Sequence, residues 1–92
     1  MDILRGVDVL KVDWQVVNEI AIEVDAQGLD CPMPLLLAKR ALNGVQAGEC
    51  VRVVATDRGT LRDFRVFAEQ SGHALLAADE CDGTYSYLLK KR

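Results

Sequence analysis

Ile20, Ile22 and Val24 alternate with Ala21, Glu23 and Asp25, and that period of two predicts a strand with one buried face. Gly28 breaks the pattern. Pro32 and Pro34 then lead into Leu35, Leu36, Leu37, Ala38, Ala41 and Leu42. Proline lacks an N–H and is tolerated only in the first turn of a helix, so the helix starts just after Cys31. Asn43-Gly44 is a pair suited to a left-handed cap and marks its end. The β-branched run Val51 to Ala55 predicts a second strand. Thr60 and Asp63 stand at capping-box spacing, ahead of Leu61, Phe64, Phe67 and Ala68 at helical spacing. Gly72 closes this second helix. His73 to Ala78 reads as a third strand, which turns through Asp82-Gly83, a strong hairpin signal, into a fourth at Tyr85 to Leu89.

The order is βαβαββ. Each helix has one apolar stripe and one charged side, which predicts a two-layer α/β sandwich with both helices on one face of a four-stranded mixed sheet. The first two strands are expected to be parallel, joined by a right-handed crossover. Residues 1–18 fit no single period and are taken as an N-terminal extension to a domain spanning 19–92, with Trp14 as an anchor that packs on it. No internal repeat and no low-complexity run is present.

Composition narrows the classes. At 92 residues, half of them hydrophobic, the chain supports one core and is too short for two. Three cysteines, an odd and sparse set, argue for a reducing compartment and free thiols over a disulfide scaffold. Asp2, Asp8, Asp13 and Glu19 interrupt the first twenty residues, so nothing there resembles a signal peptide or a membrane span. A cytoplasmic protein without a membrane association is the expectation. The net charge of −3 gives no electrostatic reason to expect direct nucleic-acid binding. The basic end Lys90, Lys91, Arg92 reads as a solubilising tail.

Cys31 carries the chemistry because of where it stands. It immediately precedes Pro32-Met33-Pro34, at a helix start whose unsatisfied N–H groups and macrodipole favour an anion. Helix N-termini lower cysteine pKa values, and the thiolate is the form that attacks a sulfane sulfur. The prolines hold the sulfur at a fixed, exposed tip. From the residues alone a second reading stands equally: a small buried hydrophobe, the usual fate of a free cysteine. Cys50 opens a strand away from any helix start and reads as structural. Cys81 lies among Asp79, Glu80 and Asp82, which disfavour a thiolate, and reads as an incidental exposed thiol. The three cysteines and His73 contain no paired spacing for a metal, and no phosphate-binding loop is present, so neither metal nor cofactor is expected.

Cys31-Pro32-Met33-Pro34, set between a strand and a helix, resembles the signature of the TusA/SirA family of small sulfur-carrier proteins. The resemblance runs from Val24 to Asp30 through the motif. It continues through Lys39-Arg40-Ala41-Leu42, Gly48-Glu49, Ala55-Thr56-Asp57, Arg62-Asp63-Phe64, Gly72-His73 and Asp82-Gly83, covering roughly residues 20–91. It implies the same βαβαββ sandwich and assigns persulfide formation to Cys31. It also implies a cysteine desulfurase or rhodanese as donor and a downstream sulfur-acceptor protein, in tRNA thiolation, cofactor assembly or sulfur oxidation. Met33 stands where the tRNA-thiolation member carries glutamate, and Arg58-Gly59 where many members have proline and another small residue.

Helix polarity places both helix starts at one end of the sandwich. Asp30, Pro32, Met33, Pro34, Lys39, Arg40, Asp57, Arg58 and Arg62 are therefore the expected partner-binding surface. Two rivals to a sulfurtransferase-type carrier remain: a non-catalytic docking or regulatory module, and a redox protein cycling Cys31 with Cys81. A carrier that forms a covalent intermediate but needs two partners stands between catalyst and substrate.

Overall fold

The structure is a computed structural model and describes residues 20–92. The extension, including the expected Trp14 anchor, lies outside the described residues. Strand β1 spans Ile20–Ala26, helix α1 Met33–Asn43, β2 Cys50–Ala55, α2 Thr60–Ser71, β3 Ala74–Cys81 and β4 Thr84–Lys90. This is the βαβαββ order read from the pattern, with β3 starting one residue later and running three further than expected.

The strands form one sheet in the order β1-β2-β4-β3. β1 and β2 are parallel, whereas β4 runs antiparallel to both β2 and β3. The sheet is therefore mixed, and β1 and β3 are its edges. Val51, Val53 and Ala55 of β2 face the same way as their partners Leu89, Tyr87 and Tyr85 of β4. That face is covered by both helices. Ala38 and Leu42 of α1 and Phe64 of α2 join Ala26, Val51, Val53, Ala55, Tyr87 and Leu89 in one buried cluster. Phe64 stacks on Tyr87 with ring centroids 4.4 Å apart and planes 10° from parallel. Such pairs add to the area they bury, because the offset rings align complementary charge. The other face carries the cross-strand ion pair of Glu23 with Arg52, 3.0 Å apart, an exposed contact of small energetic weight.

The turns explain the connections. Asp82 and Gly83 both have positive φ, 50° and 82°, the requirement of the tight type I′ hairpin whose twist matches that of its strands. Gly72 ends α2 in the left-handed conformation, its N–H donating to the Ala68 carbonyl. Gly44 behaves differently from the expectation. It remains right-handed (φ −95°, ψ 0°); its N–H donates to the Ala41 carbonyl at 3.0 Å and the Val45 N–H to the Leu42 carbonyl at 3.3 Å, so α1 tightens at its end without a left-handed residue. The basic C-terminus is also no free tail. Lys91 N donates to Glu49 O at 2.9 Å, its Nζ to Val45 O at 2.9 Å, and Arg92 N to His73 Nδ1 at 3.2 Å. The last residues continue the β4 pairing alongside β2 and satisfy the backbone groups of the turn ahead of it.

Candidate functional site

Parallel pairing of β1 and β2 brings two loop-to-helix transitions together. The segment after β1 carries Cys31 and leads into α1; the segment after β2 carries Asp57 and leads into α2. Side chains and backbone stitch the two. Gly28 N donates to Thr56 Oγ1 at 2.9 Å, and Cys31 N donates to Asp57 Oδ2 at 2.5 Å. The other oxygen of Asp57 accepts the N–H of Gly59 at 2.9 Å, and its carbonyl accepts the N–H and hydroxyl of Thr60 at 3.0 and 2.7 Å. One aspartate thus pins the cysteine backbone and organises the start of α2. Those two backbone bonds, that from Gly59 the larger, hold the Asp57 carboxyl below the usual aspartate range.

The expected capping box is replaced by this arrangement. Thr60 is the first helical residue, its side chain is buried, and its hydroxyl sits 2.7 Å from Tyr87 Oη. Asp63 consequently does not reach back to cap the backbone. Its N–H bonds Gly59 O at 3.2 Å in the ordinary helical way, and its carboxylate Oδ2 accepts a hydrogen bond from the Cys31 thiol.

That contact reverses the expected state of the sulfur. Cys31 is exposed, as the prolines imply, but its pKa is pushed up to about 11. The hydrogen bond to Asp63 is the main cause, followed by partial desolvation and the negative charges of Asp63 and Asp57. A helix N-terminus offers roughly half an elementary charge, whose effect falls off within one turn. A full carboxylate charge in hydrogen-bond contact with the sulfur outweighs it. The resting site therefore holds a thiol.

The remaining predicted residues divide. Pro32 is the residue that caps α1, following a cis Cys31–Pro32 peptide, with no side chain capping the helix. Asp30 accepts the Met33 N–H through its carbonyl at 2.8 Å. Met33, two residues after the cysteine, is exposed, and so are Leu29 and Leu36, which were not expected on the partner-binding surface. The run Leu35-Leu36-Leu37 held that signal, because three consecutive residues cannot all face one helical stripe. Pro34 is fully buried and contributes packing, which corrects its assignment to the partner-binding surface. Lys39 lies over the Phe67 ring, 5.5 Å from its centroid. Arg58 and Arg62 line an open groove of about 350 Å³ on α2 with Leu61, Arg65, Val66 and Glu69. Gly59 matters by its size: a Cβ there would lie 3.7 Å from Cys31 Cβ and 3.9 Å from Sγ, so glycine leaves one side of the sulfur open. Cys50 is buried and Cys81 exposed on the β3 edge, across two intervening strands from β1.

A family model described as sulfurtransferase TusA matches residues 22–91, nearly all of the described fold, with Cys31 and its prolines inside the match. The chain belongs to the TusA family. A sulfur carrier protein TusA of Allochromatium vinosum is 45% identical over 69 residues, covering 75% of this chain and 91% of the relative. A putative sulfur carrier protein of Neisseria meningitidis serogroup A is 44% identical over 69 residues, covering 75% of this chain and 93% of the relative. Among solved structures, the SirA-like protein of Desulfitobacterium hafniense superimposes with a TM-score of 0.68 at 30% identity, over 75% of this chain and 95% of that one. The TusA sandwich of this chain is thus the fold of a SirA-like protein, as the element order implied. No helix among the described residues is long and apolar enough to cross a membrane.

Proposed function

We propose that this TusA-family chain is a sulfur carrier in which Cys31 accepts a sulfane sulfur as a persulfide and relays it to an acceptor protein. The observation that carries the reading is the placement of the motif cysteine. Cys31 is exposed at the shared end of two helix starts, fixed through its backbone by Asp57, and open on the side where Gly59 has no side chain. A sulfur to be reached by two different proteins in turn needs such a tip, and neither protein has to enter a pocket. Membership of a family whose relatives are named sulfur carriers supports the same role.

In the loading step the Cys31 sulfur attacks the outer sulfur of a donor persulfide, supplied by a cysteine desulfurase or a rhodanese. The new S–S bond forms as the donor's breaks, and the Cys31 proton ends on the departing donor thiolate. No external oxidant or reductant enters, because the sulfane sulfur is transferred at its own oxidation level. Arg58 and Arg62 on one side, and Met33 and Leu36 on the other, supply charged and apolar contacts for the donor or acceptor.

The test is incubation with a cysteine desulfurase, cysteine and pyridoxal phosphate, followed by intact mass measurement. The wild type gains one sulfur, about 32 Da, and Cys31→Ser gains none, as expected for a cysteine nucleophile. A wild type that takes no sulfur from a desulfurase, a rhodanese or polysulfide moves the docking module ahead of the carrier.

A further inference from the structure

We infer that Asp63 is a latch on the carrier's nucleophile: it keeps Cys31 as a protonated thiol while the protein is alone, and positive charge brought against Asp63 by a partner frees the thiolate. The inference rests on the carrier reading for its biological sense, and on geometry for its physics. The Cys31 thiol donates to Asp63 Oδ2, and Asp57 lies on the other side with its Oδ2 on the Cys31 N–H. Among the described residues, the charges acting on the sulfur are these two carboxylates and no cation. Yet Arg58 and Arg62, in the same turn of chain as Asp63, line the neighbouring groove. The fold places its cations beside the site and leaves its anions on the sulfur.

A thiolate, not a thiol, attacks sulfane sulfur. With the Cys31 pKa at about 11, roughly one molecule in ten thousand carries a thiolate at pH 7. An exposed sulfur so restrained resists adventitious oxidation and alkylation, both of which follow thiolate content and exposure. A donor with a lysine or arginine beside its own persulfide neutralises Asp63 as it docks, so the nucleophile appears only where a sulfane sulfur is within reach. The latch does not change the balance of the transfer: the Cys31 proton still ends on the donor's thiolate, and Asp63 keeps its charge before and after. Asp63 is a positioning residue here, acting through the sulfur it holds.

The test is a charge series at residue 63, read by iodoacetamide labelling of Cys31 in the folded, full-length protein. Mass measurement of the Cys31 peptide separates it from Cys50 and Cys81. Desolvation and the Asp57 charge remain in the variant, so a fall of two pKa units, back to the ordinary 9.0, is the upper limit, and it raises the thiolate fraction about 100-fold. Intrinsic nucleophilicity drops about tenfold over the same interval, leaving a net gain of about tenfold. Asp63→Asn should therefore label severalfold faster than wild type at pH 7.5, up to about tenfold, and Asp63→Lys faster again. A structural disturbance would give Asn and Lys the same rate, and equal rates overturn the latch. A wild-type labelling midpoint at or below pH 9 overturns it with no variant at all.

The same proteins are then offered glutathione persulfide. Asp63→Asn should gain its sulfur faster than wild type, and where the wild type does load, an equal or slower gain counts against the latch. Graded labelling with no sulfur gained by any of the three, from glutathione persulfide, a desulfurase, a rhodanese or polysulfide, would leave the latch standing and remove the carrier reading. Sulfur gain with ungraded labelling would do the opposite.

Discussion

The two helices begin side by side at the same end of the sheet, and they begin in opposite ways. The start of α2 is anchored: Thr60 is buried, its hydroxyl bonds the Asp57 carbonyl and meets Tyr87, and Phe64 one turn on stacks on the same tyrosine. The start of α1 has no side-chain cap and no acidic residue in its first turn, and its leading residues Cys31, Pro32 and Met33 are all exposed. The difference shows how a small protein holds an exposed sulfur in a fixed place. Cys31 is too exposed to be positioned by packing, so it is positioned by Asp57 and Asp63, which are themselves held by the anchored helix start. In the proposed carrier, the chemistry sits at one helix start and its control on the other helix.

The strongest way to break this comparison is to remove the pillar under α2. Phe64 is fully buried against Tyr87, Val53 and their neighbours. Phe64→Ala should cost about 3–5 kcal/mol in urea unfolding, the range for deleting a buried aromatic side chain. For a domain of this size that approaches the whole of its stability. A loss below about 1 kcal/mol would mean that α2 is held elsewhere and that the anchored start is a misreading.

Asp57 links the two starts, and its loss should be felt at the open one. Asp57→Ala removes the acceptor of the Cys31 amide, so that amide should exchange with solvent at least about tenfold faster while the amides of β2 change little, as befits a local opening. Unchanged protection at Cys31 would show that the link is not what orders the loop. The pH dependence has a fixed sign. The Asp57 carboxyl is held below its ordinary value of 3.8, so its contribution is complete above that value, where folded and unfolded forms are both ionised. It is lost as pH falls from there through the lower folded-state pKa. An NMR titration of Asp57 with a midpoint at or above 3.8 would contradict it.

Most of the fold was legible because its cues are local. Alternation in β1, prolines at the head of α1, Gly72 and Asp82-Gly83 each act within a few residues of where they stand. The thiol state of Cys31 was not legible, because it depends on Asp63, 32 residues away. The sequence cue at Thr60 and Asp63 was real but served a different end. In a capping box the acidic side chain turns back to its own helix start; here Asp57 already fills that role from outside the helix, leaving Asp63 to face the neighbouring loop. The helix N-terminus is adjacent to Cys31 in the sequence, whereas the carboxylate becomes adjacent only after β1 and β2 pair in parallel. Pro34 failed for a related reason. As a helix-start signal it was correctly placed, but which side of the first turn it occupies depends on where the sheet lies.

The smallest effect separates the two parts of the anchor itself. Tyr87→Phe keeps the ring that Phe64 stacks on and deletes only the hydroxyl beside Thr60. The Thr60 hydroxyl retains the Asp57 carbonyl as acceptor, so no buried donor is orphaned, and the cost should stay within about 0.5–1.5 kcal/mol, the net worth of one hydrogen bond. The α2 start should keep its place, leaving Cys31 labelling by iodoacetamide within about twofold of wild type, since the carboxylate that sets its thiolate content has not moved. A tenfold change in labelling would mean that the hydroxyl pair, and not the stacked rings, fixes Asp63 against the sulfur. The anchored start would then depend on a polar contact where the geometry assigns it to packing.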